Sequence, residues 1–129
     1  MAKEILLVED DIFLVDIYAK KFSEGGFKVE VVGNGEDALK KIREKVDEKK
    51  SLWPDLLILD IVLPQLNGWE VLREIKKDPF LKNLKIIILS NLGQKSEIER
   101  ALELKVDKYL IKAHYTPSEV LQEIKNILH

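Results

Sequence analysis

The sequence predicts an α/β domain: a doubly wound, five-stranded parallel sheet with helices on both faces. Three observations carry this. Leu56 to Leu59 and Ile86 to Leu89 are unbroken apolar runs, the signature of strands buried on both faces. Helix-period stripes with their own start and stop signals fill the intervals between such runs. Strand and helix alternate five times with short connections, which right-handed crossovers close into one parallel sheet.

Each element has a local reason. Residues 4–8 form the first strand, which ends in the acids Glu9, Asp10 and Asp11. Leu14, Tyr18 and Phe22 recur at i, i+4 on the helix that follows, and Gly25 and Gly26 supply the left-handed conformation that stops it. Residues 29–32 form the second strand. Asn34 with Asp37 reads as a cap and its reciprocal acid, and Ala38, Leu39, Ile42 and Val46 form the inward stripe of the second helix. That helix ends in the charged, solvated stretch 47–50. Trp53 and Pro54 close the connection, because the residue before proline is pushed out of the helical region. After the strand 56–59, Asn67 caps a third helix that carries Trp69, Leu72 and Ile75, with Pro79 beyond its end. Residues 86–89 lead to Ser90. Ser96 and Glu99 predict a capping box for a fourth helix with Ile98, Ala101 and Leu102 inward. Tyr109 to Ile111 form the last strand, ending at Lys112. Thr116, Pro117 and Glu119 open a final helix that buries Val120, Ile124, Ile127 and Leu128. The expected strand order is 2-1-3-4-5, the flavodoxin-like arrangement.

Composition narrows the function. Residues 1–129 suffice for one domain with a real core. A formal net charge of -2 gives no basic field for direct nucleic-acid binding. No apolar segment reaches the roughly 20 residues of a membrane span. The absence of cysteine removes thiol catalysis and zinc–thiolate sites and favours the cytoplasm.

The chemistry converges on one edge. Parallel strands place their carboxyl ends together, where open α/β sheets bind ligands. Four of the five end in reactive polar groups: Glu9 and Asp10, Asp60, Ser90, and Lys112. Carboxylates that close are costly unless a cation joins them, and a hard all-oxygen set suits Mg²⁺, which keeps waters and takes a phosphate oxygen. A carboxylate beside such a cation can attack phosphorus. Lys112 supplies positive charge and Ser90 a hydroxyl donor for phosphoryl oxygens.

The chain resembles a response-regulator receiver domain of two-component signal transduction along its whole length, of the stand-alone, chemotaxis-regulator-like kind. The matching residues are Glu9 and Asp10, Asp60 followed by Pro64 and Gly68, Ser90, Tyr109 and Lys112. The resemblance implies that Asp60 is the phosphoacceptor and that Asp10, Asp60 and the backbone carbonyl of Val62 ligate Mg²⁺, with Glu9 acting through water. It implies that Ser90 and Lys112 contact the phosphoryl group and that Ser90 and Tyr109 form the switch. The donor would be a histidine kinase or phosphotransfer protein. The output would be a downstream protein docking on the fourth helix, fifth strand and fifth helix, a face that also allows a homodimer. Catalysis would not exceed phosphorylation of Asp60 and its slow reversal. With no room for an output domain in 129 residues, output is expected in a partner.

Either Asp10 or Asp11 could cap the first helix, and the family register assigns Asp10 to the metal. The chain departs from the family at Ala113, where proline behind a cis peptide is usual, at Asn91, where a small residue is common, and at Lys105–Val106, where Gly-Ala is favoured. A left-handed Lys105 would cost on the order of 1 kcal/mol. These departures support an alternative, a degenerate receiver that binds partners without phosphorylation. Two others fall. The acids after the first strand would repel a flavin phosphate, and Val62 stands where an aspartyl phosphatase needs a second acid.

Overall fold

The computed structural model describes residues 2–128. Five parallel strands, β1 (Glu4–Val8), β2 (Lys28–Val32), β3 (Leu56–Leu59), β4 (Ile86–Ser90) and β5 (Lys108–Ile111), form one sheet in the order β2-β1-β3-β4-β5. The helices are α1 (Ile12–Glu24), α2 (Gly35–Lys49), α3 (Gly68–Lys77), α4 (Lys95–Glu103) and α5 (Pro117–Leu128).

The period-two alternation of the strands divides the core. Leu6, Val8, Leu57, Leu59, Ile86 and Ile88 face α2, α3 and α4, while Ile5, Leu7, Leu56, Ile58, Ile87 and Leu89 face α1 and α5. Burying each such side chain contributes about 1.5–3 kcal/mol. Tyr18 and Phe22 of α1 stack at 5.7 Å between centroids over the second face.

Most start and stop signals act as the sequence predicts. The Asn34 side chain accepts the Asp37 N–H at 2.8 Å, and Asn67 with Glu70 forms a complete capping box. Thr116 and Glu119 exchange hydrogen bonds of 2.8 and 3.1 Å at the start of α5. The charged end of α2 stays helical through Lys49, and Lys50 closes it in the left-handed region at φ 56°. Trp53 is buried, with Lys45 Nζ 5.6 Å from its ring centroid. Lys105 is left-handed at φ 61°, as the position requires.

Three expectations are corrected. Of Gly25 and Gly26, only Gly26 is left-handed (φ 97°), because Gly25 still ends α1 with its N–H bonded back to Lys21 and Phe22. Ser96 does not cap α4: the helix starts at Lys95 after Gln94, which places Ser96 inside the first turn, and no side chain caps the N-terminus. Leu102 is 53% exposed rather than inward, its core place being taken by Leu104 and Val106 just past the helix end.

Candidate functional site

The register builds the site. Val8 pairs with Leu59, so Glu9 and Asp60 leave neighbouring strands side by side. Their backbones continue the ladder, with Glu9 N–H donating to Val32 and Asp60 N–H to Val8. Ser90 pairs with Ile111, which brings Lys112 to the same edge. Gly68 lets α3 begin here. Its N–H donates to Ile61 O at 2.8 Å, and a β-carbon at this position would collide with the Asp60 carbonyl oxygen and Ile61 Cα.

Lys112 lies between two buried carboxylates. Its Nζ donates to Glu9 Oε1 at 2.6 Å and to Asp60 Oδ2 at 2.7 Å. The remaining oxygens accept backbone N–H groups, Glu9 Oε2 from Asp11 at 3.1 Å and Asp60 Oδ1 from Val62 at 3.1 Å. Burial is the main force raising the Glu9 pKa, opposed by Lys112 and the Asp11 N–H. Burial also disfavours the Lys112 ammonium, but its hydrogen bonds to Asp60 and Glu9 prevail and raise its pKa.

Carboxylate oxygens of Glu9, Asp10 and Asp60 all lie within 4.8 Å of one another. This hard, all-oxygen donor set fits a divalent cation. Helix capping separates the two aspartates. Asp11 Oδ1 accepts the N–H groups of Phe13 and Leu14 at 2.9 and 3.3 Å, while Asp10 joins the acidic trio.

Ser90 and Tyr109 meet at Leu92. Ser90 Oγ accepts the Leu92 N–H at 3.3 Å, and the Tyr109 hydroxyl donates to the Leu92 carbonyl at 2.5 Å. The loop that leads into α4 is therefore pinned on both sides of one residue. The sequence places Leu92 beside the site as an apolar flank but gives no sign of these contacts, since a backbone partner leaves no trace in residue type. Val62 is 59% exposed beside Asp60. His114 is exposed. Among the described residues the one cis peptide bond joins Trp53 and Pro54, so the Lys112–Ala113 bond is trans within the single 3₁₀ turn Lys112–His114.

Burial, reinforced by the Glu97 and Asp60 carboxylates, pushes the Tyr109 pKa up to about 12. A raised pKa means stability that is full below pH 10.0, the ordinary tyrosine value, and is lost as pH rises toward 12. Absorbance titration of phenolate should show a late component near pH 12 that Tyr109→Phe removes. Burial raises the Tyr18 pKa as well, so the test is the difference between the two proteins: a titration unchanged by Tyr109→Phe would contradict the assignment.

Another feature is apolar. Ile12, Phe13 and Ile17 of α1 are 71, 75 and 49% exposed, just past the Asp11 cap that follows the acidic trio's Asp10. The signal was available, because all three fall outside the Leu14, Tyr18 and Phe22 stripe.

A parallel sheet in this order, with an acidic trio, a hydroxyl and a lysine at its strand ends, defines a receiver-type signalling domain. Residues 5–125 match the response regulator receiver domain family, and the chain belongs to it. It is 30% identical over 128 residues to the chemotaxis protein CheY of Thermotoga maritima, covering 98% of each chain. It is 33% identical over 128 residues to the phosphate regulon transcriptional regulatory protein PhoB of Rhizobium meliloti, covering 99% of this chain and 53% of that one. The chain spans about half the length of the transcriptional regulators it matches. The crystal structure of the phosphorylated cyanobacterial phytochrome response regulator RcpA superposes with a TM-score of 0.81 at 31% identity, covering 98% of this chain and 91% of that one.

Proposed function

We propose that this domain accepts a phosphoryl group on Asp60 from a histidine kinase or phosphotransfer protein and signals by protein docking. The observation that carries the reading is the Asp60 carboxylate, buried at a strand end, bonded to Lys112 and grouped with Glu9 and Asp10. An Asp60 oxygen forms the P–O bond as the P–N bond to the donor histidine breaks. Lys112 then balances the phosphoryl charge and Ser90 donates its hydroxyl hydrogen. Asp10, Asp60 and the Val62 carbonyl would hold Mg²⁺, with Glu9 acting through water, and the ion would neutralise charge on the transferring group.

No helix among the described residues is long and apolar enough to cross a membrane. Output would pass through the surface of α4, β5 and α5, which begins at the loop held by Ser90 and Tyr109. Incubation with acetyl phosphate and Mg²⁺ tests the reading: one phosphoryl group should appear by intact mass and disappear with hydroxylamine. An unlabelled, folded protein would refute it.

The apolar patch on α1 suits a donor protein. Large exposed apolar side chains beside a reacting group mark contact surfaces, and aromatics often anchor them. Phe13→Asp should slow phosphotransfer from the cognate donor by tenfold or more, on the order of the 1.4 kcal/mol a contact anchor contributes. Labelling by acetyl phosphate should be unchanged. Equal loss with both donors would show damage to the site instead.

A further inference from the structure

The helix α4 is lightly held. Of its nine residues only Ala101 is fully buried, no side chain caps its N-terminus, and Leu102 stands 53% exposed. One contact from its outer face is specific: the Arg100 guanidinium lies 4.2 Å from the Trp69 ring centroid. Trp69 is buried in the core and follows Gly68, whose backbone is pressed against that of Asp60 and Ile61. Asp60, Gly68, Trp69, Arg100 and α4 thus form a continuous chain of contacts. Ser90 and Tyr109 hold the loop at Leu92 that leads into the same helix.

We propose that the Arg100–Trp69 contact is a latch that holds α4 in its resting position and tunes how readily the Asp60 site accepts its phosphoryl ligand. This rests on the reading that Asp60 is the phosphoacceptor. To reach a phosphoryl oxygen, Ser90 shifts away from the Leu92 N–H, and the loop carries the uncapped start of α4 with it. That displacement breaks the cation–π contact. A ligand therefore works against the latch, and removing the latch shifts the population toward the ligand-competent arrangement. Trp69 supplies the better ring for such a contact, and Arg100 retains its charge at every working pH.

Beryllofluoride with Mg²⁺ tests the latch by amide NMR titration on wild type, Arg100→Gln and Arg100→Lys. Arg100 is exposed, so neither variant threatens the core. Arg100→Gln should bind about two- to five-fold more tightly, the range that an exposed cation–π contact supports, with Arg100→Lys in between. Amide exchange in α4 should rise in ligand-free Arg100→Gln. The same gain should persist in a Tyr109→Phe background, since Tyr109 restrains the loop at Leu92 while Arg100 restrains the helix itself against Trp69. Faster exchange with unchanged affinity would reduce Arg100 to a structural clamp and overturn the proposal. So would a gain that vanishes in Tyr109→Phe. If wild type itself fails to bind, the phosphoacceptor reading falls and the latch with it; wild-type binding with an inert Arg100 sinks the latch alone.

Discussion

Asp60→Asn should abolish labelling by acetyl phosphate while leaving a folded domain. The amide has nearly the shape of the carboxylate but lacks the nucleophilic oxygen that forms the acyl phosphate. It also removes one of three carboxylates from the acidic trio, so Mg²⁺ binding should weaken. Folding should survive for an electrostatic reason. The wild-type cluster packs two buried carboxylates against one ammonium, and the variant leaves Lys112 with Glu9 as a one-to-one pair. Intact mass and thermal unfolding check both halves of this result. Residual label of wild-type extent would move the acceptor elsewhere, and Asp10 would be the first alternative to examine.

Lys112→Met should give the largest loss of stability among the site variants. The methionine retains much of the side-chain volume but leaves Glu9 and Asp60, 2 and 5% exposed, facing each other without a cation. Removing one partner of a buried ion pair costs about 3–5 kcal/mol, and the exposed Asp10 side of the cluster favours the lower end, ~3 kcal/mol. Two conditions should restore part of the loss. Mg²⁺ replaces the missing charge, so it should stabilise the variant more than wild type. Acid also helps: Glu9 already has a raised pKa, and stability from such a group is present at low pH and lost as pH rises through the folded value. Urea unfolding with and without Mg²⁺, at acidic and neutral pH, measures all three. A variant as stable as wild type in metal-free neutral buffer would contradict the ion-pair account.

The sheet and the site were legible because they obey the same local rule. Leu56 to Leu59 and Ile86 to Leu89 read as strands buried on both faces, and parallel register then delivers Asp60 and Ser90 to one edge. The contribution of α4 was harder to read. The spacing of Ser96 and Glu99 is a sound capping box, yet such a box contributes only about 1 kcal/mol. The loop fixed at Leu92 by Ser90 and Tyr109 precedes the helix, which starts at Lys95 regardless. Contacts such as Arg100 on Trp69 join separate elements and have no spacing to reveal them. Capping also separates the two aspartates that the motif left open, since Asp11 serves the start of α1 and Asp10 lies in the acidic trio.

The most direct measurement is beryllofluoride binding with Mg²⁺, followed by amide NMR in wild type and Asp60→Asn. The account predicts saturable shifts in wild type at Asp60, Ser90, Leu92, Tyr109 and along α4, absent without Mg²⁺ and absent in Asp60→Asn. A folded wild type that shows no such shifts would contradict a working phosphoacceptor and leave a domain that binds its partners without phosphorylation.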